Sequence, residues 1–336
     1  MSIVPSILII GVGSIGERHV RCFQSTGRCT LAICEPNDDR RQDVAQRYGV
    51  NGYRCWEDAL GEEEFSAAVI ASPAPWHVPT AQALSERRID LLIEKPLSLT
   101  TDGISRLAET IEKQGTRVTV GFVYRALPAL QQMRAAVLSG ELGNVVQIQV
   151  HSGQHFPFYR PAYREIYYAE PAQGGGLIQD MLPHPLNLVE WLAGPATRVV
   201  VDASHAVLPG VEVEDTVNLI ARHGNVMASI SVNQHQCVSE FVITVICERG
   251  AARWELQGQR WLKAKENGGQ WTEQASFVHG RDDYYILQAN AFLDLLEGKP
   301  EPLCPLADGL DTLKSTLAIL RSRESGRWVT VSDAKR

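Results

Sequence analysis

The first 122 residues alternate short apolar runs with longer amphipathic segments. The apolar runs include SILIIGVG, TLAICEP, FSAAVIASP and IDLLIEKP, and segments such as DDRRQDVAQRYG between them have a helical pattern. Apolar runs of this length are typical of parallel strands that helices cover on both faces. The pattern therefore predicts repeated β-α-β units and a doubly wound parallel sheet over residues 1–122.

Beyond residue 122 the pattern changes. RALPALQQMRAAVLSGELG predicts a helix that ends at a glycine, and runs such as NVVQIQVHSG, NVMASISVNQHQ and EFVITVICERG then follow closely, separated by H-G-N, R-G and N-G-G turns. Such spacing is typical of antiparallel strands. Residues 284–298 and 306–321 have the pattern of two closing helices. We therefore predict an α/β fold with a second, α+β domain over residues 123–336.

Composition and charge restrict the class of protein. Hydrophobic residues make up 44% of the chain and charged residues 21%, which is typical of a soluble globular protein. No window approaches 18 uninterrupted apolar residues, and the apolar N-terminus lacks the basic region of a signal peptide. A net charge of −7 argues against a nucleic-acid partner. Seven cysteines without a C-x-x-C pair indicate reduced thiols and a cytoplasmic location.

A glycine motif follows the first predicted strand. In GVGSIGERH the glycines have G-x-G-x-x-G spacing and precede a helical pattern. Glycine permits the tight turn and the close approach of a pyrophosphate, and the helix start offers free N–H groups. A purely structural turn is the alternative, and the strand-turn-helix context favours a dinucleotide. The residues expected to bind the cofactor here are Gly11, Gly13, Ser14, Ile15 and Gly16.

Glu35 directly follows the second predicted strand, TLAIC. A carboxylate at this position can accept hydrogen bonds from ribose hydroxyls and would repel a 2′-phosphate, so we expect NAD rather than NADP as the cofactor. Two alternatives remain open. Glu35 could simply cap the next segment, and Arg40 or Arg41 could reach a phosphate.

Lys95 lies at the end of a fourth apolar run, IDLLIEKPLS. Open α/β sheets bind ligands at the carboxyl ends of their strands, where this lysine is expected. On its own, a lysine after a strand would usually be an ordinary surface residue.

Five motifs, together, resemble the glucose-fructose oxidoreductase / inositol dehydrogenase / MocA (Gfo/Idh/MocA) family. They are GVGSIGERH, ASPAPWHVP, EKP, VGFVYR and GGGLIQDMLPH, and a late Y-x-x-Q-x-x-x-F segment starting at Tyr285 extends the resemblance to nearly the whole chain. The resemblance implies an N-terminal Rossmann domain and a C-terminal domain with an open, mostly antiparallel sheet. It also implies an NAD(P)-dependent dehydrogenase or reductase that forms a homodimer or homotetramer through that sheet.

The resemblance further implies roles for individual residues. Lys95 matches a lysine near the nicotinamide and the reacting hydroxyl, and Asp180 and His184 match a substrate-facing aspartate and histidine after the glycines. The other residues implied at the cofactor are Ser72, Pro73, His77, Glu94 and Arg125.

These residues suit the oxidation of a secondary alcohol. His184 could take the hydroxyl proton near neutral pH, Lys95 could stabilise the alkoxide, and Asp180 could orient the imidazole. Metal binding by Asp180 and His184, or by His151 and His155, lacks a third ligand signal, so we expect no metal. The other functions considered are a non-catalytic dinucleotide-binding regulator and an NAD-retaining glycosidase that uses transient oxidation.

The segment of residues 155–173 is rich in tyrosine and arginine. Aromatic faces pack on sugar rings, and arginine forks bind carboxylates. We expect Arg160, Tyr163 and Arg164 to bind a sugar, polyol or sugar acid. A contact with a partner chain or an anchor at a domain interface is the alternative.

Two prolines flank the candidate histidine. Pro183 and Pro185 lack N–H groups that a helix interior would need. We therefore predict a helix over residues 175–192 that is irregular near Pro183, with Asp180 and His184 on one face.

Overall fold

The computed structural model describes residues 4–300 and 302–333. Its first elements are β1 (Ser6–Ile10), α1 (Ser14–Thr26), β2 (Thr30–Cys34), α2 (Asp38–Tyr48), β3 (Asn51–Tyr53), α3 (Trp56–Glu62), β4 (Ala67–Ile70), α4 (His77–Ser85), β5 (Asp90–Ile93), α5 (Ile104–Gln114) and β6 (Val118–Val120). Then follow α6 (Pro128–Leu138), β7 (Val145–His155), α7 (Phe156–Tyr159), α8 (Leu177–Asp180), α9 (Pro183–Ala193), β8 (Arg198–Ser204), β9 (Thr216–His223), β10 (Val226–Asn233), β11 (His235–Cys247), β12 (Gly250–Glu255), β13 (Arg260–Ala264), β14 (Thr272–Ser276), α10 (Asp283–Leu296), β15 (Cys304–Pro305), α11 (Leu306–Ser325) and β16 (Val329–Thr330).

These elements form two compact units. Among the described residues, the first unit contains 4–98, 102–126, 279–300 and 302–309, and the second contains 99–101, 127–278 and 310–333. The sequence predicts a single boundary at residues 122–123, whereas the chain passes to the second unit at residues 99–101 and again from residue 127. The division is not contiguous, however, because α10 and β15 return to the first unit.

The sheet of the first unit has the strand order β15-β6-β5-β4-β1-β2-β3. All pairs are parallel except β15 with β6, which confirms the predicted doubly wound parallel sheet. Ile10 pairs with Cys34 on one side and with Ile70 on the other, and Ile70 pairs with Ile93. The carboxyl ends of β1, β2, β4 and β5 therefore form one edge, and β1 lies where the strand order reverses. That position is where open α/β sheets bind ligands.

The sheet of the second unit has nine strands in the order β14-β13-β12-β11-β7-β10-β9-β8-β16. Its pairs are antiparallel except β7 with β10, which confirms the predicted, mostly antiparallel sheet. Successive side chains of a strand point to opposite faces of the sheet. On β10, Ile230 is buried and Met227 is 42% exposed, and Ile220 on the neighbouring β9 is 45% exposed. The sheet thus has one packed face and one face with accessible apolar side chains.

Two broader findings concern the described residues. None of their helices combines the length and the apolar character that a membrane-crossing helix requires. No disulfide joins the seven cysteines, all of which lie in the described ranges.

Candidate functional site

The glycine turn after β1 is shaped by close backbone contacts. Gly11 has φ of +84°, donates its N–H to the Cys34 carbonyl at 2.8 Å, and has no room for a Cβ, which would lie 2.9 Å from the Ala71 carbonyl oxygen. A Cβ on Gly16 would lie 1.8 Å from the Gly11 oxygen. By contrast, a Cβ on Gly13 would meet nothing within 4 Å. Gly13 immediately precedes α1, so open space adjoins the start of this helix, where an anion site would lie.

Ser72 follows β4 on the same edge of the sheet. Its hydroxyl is buried and has no hydrogen-bond partner among the described residues. A buried hydroxyl without a partner is costly unless a ligand or water satisfies it. Together with the open space at Gly13, this hydroxyl fits a dinucleotide bound along the edge.

Glu35 is 5% exposed, and both of its carboxylate oxygens are fixed by backbone groups. Oε2 accepts from the Val12 N–H and Oε1 from the Asn37 N–H, each at 3.1 Å. The side chain that caps α2 is that of Asn37, which accepts from the Arg40 N–H at 2.9 Å, while Glu35 holds the backbone of Asn37. Each carboxylate oxygen keeps a lone pair for a further donor.

The two nearby arginines are placed differently. Arg40 lies 3.5 Å from Glu35 Oε1 with a half-exposed side chain. Arg41 donates to the Glu35 carbonyl at 2.8 Å and pairs with Asp38 at 2.6 Å. The guanidinium of Arg41 therefore binds groups of α2 and of the residue after β2. Arg40 is the arginine that lies beside the candidate ribose acceptor, the Glu35 carboxylate.

Lys95 follows β5 and is half-buried, while the neighbouring Glu94 is 4% exposed. Glu94 Oε1 lies 2.7 Å from His19 Nε2, and Oε2 accepts from the Lys95 N–H at 3.0 Å. Burial alone would raise the pKa of Glu94, but the hydrogen bond from His19 and the charge of Lys95 hold it below its ordinary value. Glu94, expected at the cofactor, is thus engaged by its own unit. His19 was not singled out from the sequence, although it follows Gly16 by three residues and so lies on the same face of α1.

His77 and Arg125 are also buried. His77 is 2% exposed, with Nε2 2.7 Å from the Ser72 carbonyl oxygen and Nδ1 2.9 Å from the Pro96 carbonyl oxygen. Arg125 is 1% exposed and pairs with Asp308 at 2.6 Å. His77 therefore connects the loops after β4 and β5, and Arg125 forms an ion pair within the first unit.

In the second unit, the glycines before Asp180 are required by local packing. A Cβ on Gly175 would lie 2.4 Å from the Tyr168 carbonyl oxygen, and Gly176 has φ of +85° with its Cβ position 2.7 Å from a Glu214 oxygen. These contacts explain the glycines without a ligand.

The chain around the two prolines forms two helices rather than one. The short α8 ends at Asp180, and α9 begins at Pro183 after the linking residues 181–182. Pro183 and Pro185 occupy the first and third positions of α9, where a missing N–H breaks no helical bond. The first i→i−4 bond of α9 joins the Leu186 N–H to the Leu182 oxygen at 3.1 Å. The irregularity predicted near Pro183 is present, and it falls at a helix start.

Asp180 and His184 lie on the accessible side of this segment. Among residues 177–190 only these two and Met181 are half-buried, and the others are buried. The Tyr167 hydroxyl donates to Asp180 Oδ1 at 2.8 Å. Tyr167 belongs to the aromatic segment but was not selected from the sequence, because a hydrogen bond thirteen residues away has no periodic signal.

The aromatic segment divides into a buried and an exposed part. Tyr163 is 1% exposed in a cluster with Phe156 and Tyr168, and its hydroxyl donates to the Pro209 oxygen at 2.6 Å. Arg164 donates to the same oxygen at 2.7 Å and stacks on the Tyr163 ring. The expected substrate contact of Tyr163 is therefore not supported, since its ring and hydroxyl are both used in packing. Arg160 is half-buried in the same segment.

Within the described residues, no group of three His, Cys, Asp or Glu side chains is arranged to hold a metal ion. His151 contacts Gln236 at 3.1 Å.

Both halves of the chain match known family descriptions. Residues 6–122 match the oxidoreductase family with an NAD-binding Rossmann fold, and residues 130–253 match the GFO/IDH/MocA C-terminal domain. The two matches follow the order of the two domains along the chain.

Relatives and solved structures extend this similarity. The rhizopine catabolism protein MocA of Rhizobium meliloti is 27% identical over 187 residues, which cover 55% of this chain and 56% of the relative. The chain thus spans about half the length of the first curated relatives that it matches. A myo-inositol dehydrogenase of Streptomyces leeuwenhoekii is 25% identical over 96% of this chain and 98% of its own. Levoglucosan dehydrogenase in complex with NADH and levoglucosan has the same fold, with a TM-score of 0.85 at 18% identity over 97% of this chain and 99% of that chain.

Proposed function

Because the chain belongs to the Gfo/Idh/MocA oxidoreductase family, we propose that it transfers a hydride between NAD and a secondary alcohol of a sugar, polyol or sugar acid. The single observation that carries the proposal is the position of Lys95. It is the second residue after β5, at the sheet edge that also bears the glycine turn and Glu35. A lysine at that edge lies where such a sheet binds its ligand.

The first unit supplies the cofactor residues. The start of α1 and the open space at Gly13 suit the pyrophosphate, Glu35 offers its remaining lone pairs to a ribose, and the Ser72 hydroxyl provides a further polar group. When bound, the nicotinamide supplies the hydride acceptor or donor. Glu35 favours NAD, since a 2′-phosphate would meet its negative charge.

The proposed acid-base chemistry uses three side chains. His184 accepts the hydroxyl proton, Lys95 stabilises the developing alkoxide, and Asp180 orients the imidazole or binds a neighbouring hydroxyl. Asp180 and His184, with Met181, are the half-buried residues of an otherwise buried segment, and residues that meet a substrate must be accessible. In the reverse direction His184 returns the proton.

The substrate class rests on the relatives and on polar groups of the second unit. Among the similar proteins are an inositol dehydrogenase and a dehydrogenase bound to levoglucosan, both of which act on or bind polyhydroxylated rings. Arg160 and Arg164 lie in the segment that contains Tyr167 and so remain the proposed binding groups for a hydroxyl-rich or acidic substrate. Tyr163 supports this segment from its buried cluster.

The test is a panel of sugars, inositols and sugar acids, incubated with NAD and separately with NADP, with absorbance of the reduced nicotinamide as the readout. We expect turnover with at least one member and a preference for NAD. Lys95→Ala is expected to bind NADH normally and to lose at least about 100-fold in turnover, whereas the exposed Lys113→Ala on α5 is unchanged.

Two other results would indicate different functions. Measurable NADH binding without turnover of any panel member would favour a dinucleotide-binding regulator. Cofactor that copurifies without exchanging, together with cleavage of a glycoside, would favour an NAD-retaining glycosidase.

We also propose that the chain forms a homodimer or homotetramer through the face of the nine-stranded sheet that has accessible apolar side chains. Ile220 and Met227 are exposed on adjacent strands of that face, and a second copy would cover them. Light scattering coupled to gel filtration is expected to give a multiple of 37.1 kDa, and Ile220→Glu is expected to lower it. A monomeric wild-type protein would contradict this assembly.

A further inference from the structure

Two buried histidines contact the residues on either side of Lys95. His19 lies on α1 and is 0% exposed, and His77 begins α4 and is 2% exposed. His19 contacts the side chain of Glu94, and His77 contacts the carbonyl of Pro96. Lys95 stands between these two contact points in the sequence.

The His19 contact reaches the backbone of Lys95 through one carboxylate. A carboxylate can only accept, so His19 Nε2 donates to Glu94 Oε1 over 2.7 Å. The other oxygen, Oε2, accepts the Lys95 N–H at 3.0 Å. A Cβ on Gly121 would lie 3.0 Å from this carboxyl group, so Glu94 is also closely packed against the backbone that follows β6. A rotation of the Glu94 side chain would therefore move the lysine backbone or break a charge-assisted bond.

The His77 contact joins two loops. Its Nε2 lies 2.7 Å from the Ser72 oxygen after β4, and its Nδ1 lies 2.9 Å from the Pro96 oxygen after β5. A neutral imidazole donates to one carbonyl at a time, and an imidazolium donates to both. Burial lowers the pKa of His77, while the two carbonyl contacts oppose that decrease. In either state the ring fills the gap between the two loops.

These contacts begin at the residue where the hydrogen bonds of the parallel sheet end. The Glu94 N–H still bonds to the Ile70 oxygen at 2.9 Å, as in a parallel ladder. The Lys95 N–H bonds to a side chain instead, and Pro96 has no N–H. Side-chain contacts therefore replace sheet hydrogen bonds at the residue on which the chemistry is proposed to depend.

We propose that His19 and His77 are positioning residues that hold Lys95 from its two flanking residues. The inference rests on the proposed function for its catalytic meaning, because positioning matters only if Lys95 meets the substrate. A displacement of about 1 Å in a reacting group can reduce turnover by about 100-fold. The contrasting interpretation is that both histidines are ordinary core residues, and it predicts no specific effect on Lys95.

The experiment measures the amine of Lys95 directly and needs no substrate. Wild-type protein, His19→Phe and His77→Phe are treated with limiting acetic anhydride, and acetylation of each lysine is quantified by mass spectrometry. Phenylalanine keeps a buried ring but has no N–H. We expect the acetylation rate of Lys95 to rise at least threefold in both variants, while that of the exposed Lys113 stays constant.

Two further variants separate positioning from general stability. Glu94→Gln leaves both histidines in place but removes the charge that His19 binds, and it is expected to raise the Lys95 rate as well. His223→Phe is the matched control, since His223 is 3% exposed and contacts the Gly194 carbonyl oxygen at 2.7 Å in the second unit. Its Lys95 rate should equal that of wild type.

Cofactor binding and turnover complete the test. The dissociation constant for NADH is measured for each variant so that turnover can be compared at saturating NADH, where turnover of a substrate found in the panel is expected to fall about 10- to 100-fold. An unchanged Lys95 acetylation rate in Glu94→Gln and in the folded histidine variants would overturn the proposal. Failure of the panel alone would count against the proposed function and would leave the acetylation result to decide the positioning.

Discussion

The Tyr167 hydroxyl donates a hydrogen bond of 2.8 Å to Oδ1 of Asp180. Tyr167 is 45% exposed and Asp180 is half-buried, so this bond forms at the accessible side of the second unit. The bond therefore fixes the position of one carboxylate oxygen of Asp180.

Tyr167→Phe removes that donor without changing the ring. A single hydrogen bond to a charged group is worth about 1.5–3 kcal/mol, and the exposed position reduces that value, so we expect kcat/KM to fall about three- to tenfold. Tyr159→Phe is the control, because Tyr159 is similarly exposed but its hydroxyl contacts Ser239. Equal kinetics in the two variants would argue against a role for Tyr167 in orienting Asp180.

Gly13 and Gly16 provide a second, paired prediction. Gly16→Ala places a Cβ within 1.8 Å of the Gly11 oxygen, and overpacking of this kind costs at least about 1–3 kcal/mol. We expect its thermal unfolding midpoint to drop clearly. Gly13→Ala meets no protein atom within 4 Å and has an allowed φ of −64°, so it should fold normally.

The same pair distinguishes stability from binding. The new methyl group of Gly13→Ala enters the space assigned to the pyrophosphate, and we expect the dissociation constant for NADH to rise at least tenfold. Nicotinamide fluorescence measures the binding, and thermal unfolding measures the stability. NADH binding as tight as in wild type would place the pyrophosphate elsewhere.

Glu35→Ala tests the choice between the two cofactors. Loss of the ribose acceptor should weaken NADH binding about tenfold, or about 1.4 kcal/mol. NADPH should be affected less, because Arg40 then stands beside the ribose without a neighbouring carboxylate. Asp39→Ala changes an exposed charge on α2 and should leave both dissociation constants unaltered. An unchanged ratio of the two constants in Glu35→Ala would refute the assignment.

Glu190 predicts a pH dependence of stability in the second unit. Burial raises the pKa of Glu190 from 4.5 to about 7, although the hydroxyls of Ser315 and Thr312 donate to its oxygens at 2.6 and 2.5 Å and oppose the increase. The Glu190 carboxyl group therefore binds its proton more tightly in the folded state than in the unfolded chain. This proton stabilises the folded state, and its contribution is complete below about pH 4.5. It is lost as the pH rises to about 7.

Glu190→Gln keeps the shape and has no proton to lose. The free energy of unfolding of Glu190→Gln minus that of wild type should be larger at pH 8 than at pH 5, by on the order of 1–3 kcal/mol. Urea unfolding at both pH values measures the difference. The exposed Glu266→Gln should show the wild-type pH dependence, and the same behaviour in Glu190→Gln would contradict the prediction.

The fold was largely predictable because its signals are local. Apolar runs such as residues 6–10 and 67–70 form buried parallel strands, and the glycine spacing predicts the turn before α1. The return of α10 to the first unit was not predictable in this way. It depends on contacts such as the two hydrogen bonds between Arg21 and Asp282, which are 261 residues apart.

The placement of Glu35 and Lys95 after strand ends was predictable from their motifs, whereas the burial of individual side chains was not. Tyr163 and Tyr167 are only four residues apart in the same aromatic segment, yet one is in a core cluster and the other bonds to Asp180. Composition treats them alike, because exposure arises from contacts with distant residues such as Pro209. His19 was missed for the same reason, since its partner Glu94 is 75 residues away.

The prolines around His184 make the start of α9 electrostatically different from the start of α1. Pro183 and Pro185 bring no N–H groups to the first turn of α9, and the His184 N–H already bonds to the Met181 oxygen at 3.1 Å. The start of α9 therefore offers little of the positive potential that backbone N–H groups give to an ordinary helix start such as that of α1. Backbone dipoles would attract an anionic ligand to the start of α1. At the start of α9, the side chains of Asp180 and His184 would instead determine which ligand binds. Substrate preference could thus be altered by substitutions there without creating a competing phosphate site.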